Sequence, residues 1–183
     1  MHYVNIYTDG ACSGNQNEIN TGGWGAILEY GAHQKEIFDG EPNTTNNRME
    51  MKALIQALAS IYKVNRVIRV FSDSSYLMNC FREKWYEKWQ KNNWQTSAKK
   101  AVENRDLWEA LLPYLKTHAI HFYRVKGHVN LKSKSTNIPA LYEKFVEWNG
   151  DSFALDDFIF ITTMNNRADA LANKGIDKVR SCI

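Results

Sequence analysis

The sequence predicts an α/β protein: a five-stranded mixed sheet, its first three strands antiparallel and its last two parallel, flanked by helices. Three observations carry this. Apolar, strand-like runs at 3–8, 24–30 and 34–39 are separated only by a Gly/Asn/Ser-rich loop and a short turn, as in an antiparallel meander. Further runs at 66–71 and 120–125 each follow a stretch of helical periodicity, and strands joined through a helix tend to lie parallel in one sheet. The segments YTDG and FSDS share one design, a short apolar strand ending in a hydroxyl residue and then an aspartate, which puts Asp9 and Asp73 at the same sheet edge.

In order, residues 3–8 alternate as a strand and stop at Asp9-Gly10. The loop ACSGNQNEINTGG follows, and then two strands meet at the Gly31-Ala32 turn. TTNNRMEMKALIQAL opens with capping residues and continues with Ala53, Leu54, Ala57, Leu58 and Ile61 on one helical face. Glu50 falls on that face, where a carboxylate is costly unless a cation or hydrogen bonds meet it. The ordinary alternative is an exposed glutamate favoured by the helix dipole.

After the fourth strand a short helix over 75–81 leads into REKWYEKWQKNNWQTSAKKAVENRD. There Trp85, Trp89 and Trp94 are interleaved with lysines and arginines. Such a stretch either packs its tryptophans on the core or tracks a phosphate backbone. A helix over 106–115, a strand ending in Lys126-Gly127-His128 and a last helix over 165–179 complete the body. The stripe of that last helix is Ala168, Leu171, Ala172, Ile176 and Val179, with Asp169 on its flank in the first turns.

A length of 183 residues suits one domain spanning 1–183. With 44% hydrophobic residues the chain can build a core, and a net charge of +3 permits a polyanionic partner without demanding one. Three cysteines without metal-type spacing, and no apolar leader, point to a reducing, cytoplasmic setting. No stretch is apolar enough to span a membrane.

Asp9, Glu50, Asp73 and Asp169 each lie at a strand end or helix start beside apolar sequence. Four converging carboxylates must be neutralised, and oxygen ligands without a His/Cys cluster suit Mg²⁺, with Mn²⁺ able to substitute, rather than zinc. Two such ions could serve phosphodiester hydrolysis.

YTDGACSGN, TTNNRME, FSDSSY, the spaced tryptophans followed by NRDLW, VKGH and NRADALA occur together in one order, and in this the chain resembles a type 1 ribonuclease H over nearly its whole length. The resemblance implies the ribonuclease H-like fold with a basic tryptophan-containing handle at 82–105. It also implies cleavage of the RNA strand of RNA/DNA hybrids to 3′-hydroxyl and 5′-phosphate ends, in primer or hybrid removal during replication and repair.

Carried over by position, Asp9, Glu50, Asp73 and Asp169 are the metal-binding catalytic carboxylates, and His128 is the histidine that assists proton transfer or product departure. Gly10, Asn15, Asn46 and Asn47 meet the hybrid, Thr45 and Asn104 hold a phosphate of the DNA strand, and Trp85, Trp89 and Trp94 form the handle. The 2′-hydroxyl, which short amides can recognise without reading sequence, is the feature that singles out the RNA strand. The chain starts at Met and carries its own handle, which suits an autonomous monomeric enzyme with no obligate protein partner.

Three departures matter. Ser75 stands where some relatives have a longer polar side chain near the RNA, so a minor-groove contact is lost or replaced by water. The handle carries Gln90, Asn92 and Asn93, so weaker and more salt-sensitive binding is expected. His128 and Asp169 are joined by far more chain than the family's short loop, so 130–163 reads as an insertion. In it, 139–148 suits a short helix and 153–161 a strand or a segment packed on the body. The insertion either packs on itself or covers the site. Competing readings are a nuclease of the same fold acting on DNA and a non-catalytic hybrid-binding module; loss of one of the four acids would have favoured the latter, and all four are present.

Overall fold

The computed structural model describes residues 3–14 and 19–182. Five strands, β1 (Val4–Ser13), β2 (Thr21–Tyr30), β3 (His33–Pro42), β4 (Val67–Ser72) and β5 (Ala119–Arg124), form one sheet in the order β3-β2-β1-β4-β5. β2 pairs antiparallel with both β1 and β3, while β4 pairs parallel with both β1 and β5. This is the mixed sheet the sequence predicts.

Strand alternation divides the core in two. Ile6, Ala26, Leu28, Ile68 and Val70 face one cluster; their chain neighbours Tyr7, Ile27 and Phe71 face the other. The first cluster packs under α1 (Asn46–Ala59), α2 (Ser75–Arg82) and α4 (Arg105–Thr117), with α3 (Trp85–Lys91) at its flank and the fully buried Trp108 at its centre. The second lies under α5 (Ile138–Asn149) and α6 (Leu155–Arg180).

Two elements differ from the sequence reading. β1 does not stop at Asp9 but runs to Ser13, because β2 still pairs with it through Ser13↔Thr21 after β4 has ended. Its Gly- and Ser-containing end reads as loop although it is a paired strand. Residues 153–161 are not a strand either. α6 begins at Leu155, and Phe158, Ile161, Met164, Ala168, Leu171, Ala172 and Ile176 lie buried along 26 residues of helix. Asp157 starts the helix by accepting the Ala154 N–H at 2.8 Å. Asp169 therefore lies in mid-helix rather than in the first turns.

The stretch 130–163 packs on itself, with the Tyr142 hydroxyl donating to the Phe153 carbonyl at 2.7 Å, and also on the body. α5 forms as expected, and its Phe145 is buried with Phe153 and Phe158. Phe153 in turn meets Phe71 and Tyr123 edge-on, so the stretch completes the second core. Asn149 at the end of α5 donates to the Arg124 carbonyl and accepts the Arg124 N–H, both at 2.8 Å, binding the helix to the outer edge of β5. Among the described residues no helix is long and apolar enough to cross a membrane.

Candidate active site

Pairing between β1 and β4 ends at Thr8↔Ser72, so the next residue on each strand, Asp9 and Asp73, leaves that pair side by side. Above them, Thr45 caps α1 by accepting the Arg48 N–H at 3.2 Å, and the following turn buries Glu50. The close descent of α1 onto β1 requires glycine at position 10, where a Cβ would come within 2.4 Å of the Glu50 nitrogen. One carboxylate oxygen from each of Asp9, Glu50 and Asp73 lies within 4.8 Å of the others. Asp169 reaches the same cleft from mid-α6, with its side chain 29% exposed and its Oδ1 4.0 Å from His128 Nδ1.

The electrostatics match the crowding. Burial, then the charge of Asp73, pushes the Asp9 carboxyl up to about 8, with Asp169 adding in the same direction. Burial and then Asp9 raise Glu50 well above the usual carboxylate range. Asp73 is raised by burial, with the Asn165 amide and His128 acting against the rise. Glu50 Oε2 is buried without a hydrogen-bond partner. An orphaned carboxylate oxygen among mutually repelling acids is unfavourable unless a cation completes it, and an all-oxygen donor set suits a hard divalent ion.

The cleft, about 570 Å³, is also lined by Gly10, Asn46, Asn47 and His128. His128 is 78% exposed at its side chain and left-handed, with φ 56°. Asn15 lies outside the described residues. Thr45 and Asn104 stand apart from the cleft at the N-termini of α1 and α4, and Arg48 bridges them. Its Nη1 donates to Asn104 Oδ1 at 3.4 Å and its Nη2 to Asp106 Oδ2 at 2.8 Å. Trp94 is buried beneath the Arg105 guanidinium. Trp89 packs edge-on against Trp108 and Trp85 against Trp89, so the three rings lean on the first core. Trp85, Lys88 and Trp89 leave part of their surface to an open depression.

Three contributors escaped the sequence reading. Gly127 lies so close to Asp73 that a Cβ there would be 2.1 Å from Oδ2. Arg48 joins two helix N-termini, and Asn165 faces Asp73 from α6. Gly127 and Arg48 stood within the VKGH and TTNNRME segments, but local spacing carries no sign of contacts made so far along the chain. Cys12 also lines the cleft; burial and the charge of Glu41 push its thiol up, which keeps it in its less reactive form.

Residues 1–140 match the RNase H family. The protein named Ribonuclease H from Chlorobium chlorochromatii (strain CaD3) is 52% identical over 125 residues, covering 68% of this chain and 83% of the relative. The protein of the same name from Thermoanaerobacter sp. (strain X514) is 53% identical over 127 residues, 69% of this chain and 79% of its own. Among solved structures, LC9-RNase H1, described as a type 1 RNase H with the type 2 active-site motif, superposes with a TM-score of 0.70 at 24% identity. It covers 97% of this chain and 73% of its own. The solution structure of the PFV RNase H domain gives 0.63 at 22% identity, covering 96% and 94%. These structural likenesses concern the fold. They extend through α6, whereas the family match ends at residue 140, before Asp169.

Proposed function

Because this chain belongs to the ribonuclease H family, we propose that it is an endonuclease that hydrolyses the RNA strand of RNA/DNA hybrids, leaving 3′-hydroxyl and 5′-phosphate ends. The observation that carries the reading is the convergence of Asp9, Glu50 and Asp73 within 4.8 Å at the shared end of β1 and β4. In this reading those three and Asp169 hold two divalent cations, Mg²⁺ in the cell with Mn²⁺ as a substitute. When bound, the cations supply Lewis-acid activation of water and neutralise the departing oxygen.

The chain's own residues do the rest. The carboxylates, ionised in the loaded state, fix the position of the scissile phosphate relative to the water. His128, exposed beside Asp169, exchanges the leaving-group proton with solvent. Asn46 and Asn47 offer amides to the 2′-hydroxyls, with Gly10 and Asn15 as further contacts. Thr45, Asn104 and Arg48 gather two helix N-termini where a DNA phosphate would dock. Trp85, Trp89 and Trp94 brace the basic stretch that tracks the duplex. The expected setting is cytoplasmic and monomeric, in removal of primers and hybrids.

The test is end-labelled RNA/DNA, RNA/RNA and DNA/DNA duplexes incubated with Mg²⁺, Mn²⁺ or EDTA, using the wild-type protein and Asp73→Asn. Metal-dependent cutting confined to the RNA of the hybrid, and reduced on the order of 10³-fold or more by the substitution, is the expected result. Hybrid bound but left intact would replace the enzyme reading with a binding module, and equal cutting of DNA/DNA would reassign the substrate.

A further inference from the structure

We infer that Asn166 of α6 is a positioning residue for this site, setting the turn that carries His128. The inference rests on the hydrolase reading above. Asn166 lies about one helical turn before Asp169, where its side chain meets the loop after β5.

Asn166 Nδ2 donates to the Val129 carbonyl at 2.8 Å, and the Val129 side chain is buried. The preceding turn is pressed on the other side, where Gly127 meets the Asp73 carboxylate. Between them His128 adopts a left-handed backbone that a non-glycine residue holds only when its surroundings impose it. Asp73 in front and Asn166 behind impose it. One helix thus carries Asp169 and sets the turn of His128.

The test compares the wild type with Asn166→Ala, each also in a His128→Ala background. It measures kcat and KM on the hybrid, the thermal midpoint of the metal-free protein, and amide exchange over 127–130.

Asn166→Ala should speed exchange over 127–130 and lower kcat only when His128 is present. Unchanged exchange, equal losses of kcat in both backgrounds, or losses that merely follow a lower midpoint overturn its role. A wild-type chain that cuts no hybrid would sink the proposed activity, leaving amide exchange to decide Asn166.

Discussion

The two halves of α6 pack on one sheet by opposite means. Its first half sends Phe158, Ile161 and Met164 into an aromatic cluster with Tyr142, Phe145 and Phe153, where bulk fills the space between helix and strands. Its second half lays Ala168, Ala172 and Gly175 on the glycine-containing strands β2 and β3, and a Cβ on Gly23 would stand 2.0 Å from the Ala172 carbonyl oxygen. Bulk tolerates small adjustments and backbone contact does not. Asp169 rides near the junction, so the second half sets its distance from Asp9, while the aromatic contacts of the first half mainly supply stability.

The largest effect should come from forcing the rigid half apart. Gly23→Ala should cost about 3 kcal/mol and lower hybrid cleavage on the order of 10²-fold, seen by denaturant melts and initial rates; normal cleavage would show that Asp169 is not distance-limited. Next, Phe158→Ala should remove about 3 kcal/mol through the cavity it leaves while activity per folded molecule stays near wild type. A proportionate loss of kcat would mean that the aromatic half also sets the site.

Between the halves lies the effect of pH on the acids themselves. Asp9 is raised from an ordinary 3.8 to about 8 in the folded chain, so between those values the native state binds the extra proton. Stability without a cation must then fall as pH rises through that window. The metal-free midpoint should drop by roughly 5 °C from pH 5 to pH 8, less in Asp9→Asn and less with saturating Mg²⁺; a flat wild-type profile would contradict the crowding. The smallest effect belongs to the outer face of α5, where Lys144 and Glu147 pair at 3.0 Å in the open. Lys144→Ala should shift stability by no more than about 0.5 kcal/mol.

Sequence alone was enough where periodicity and chemistry agreed. The stripe from Ala168 to Ile176 and the capping residues before α1 follow from local spacing, and the strand–Asp design aligned Asp9 with Asp73; spacing put Glu50 on the apolar face but left an exposed glutamate open, and the structure buries it. It fell short where local signals are degenerate. The run DDFIFITT is rich in aromatic and β-branched residues and suits a short strand, until Met164 and Ala168 extend its spacing into a helix. Nor can spacing show that Asn149 reaches back to Arg124, or that Gly127 abuts Asp73, since both contacts join elements far apart in the chain.

Asn149 has a consequence for how copies of this chain treat one another. β5 ends the sheet, and an open edge offers its backbone to any passing strand. By taking both the N–H and the carbonyl of Arg124, and by seating the Trp148 ring 4.2 Å from the Arg124 guanidinium, the end of α5 occupies the docking positions that a neighbouring molecule would use. A chain shortened by α5 would keep its four acids but lose this guard together with the Phe145 side of the second core, so it would clump through β5 and the opened core.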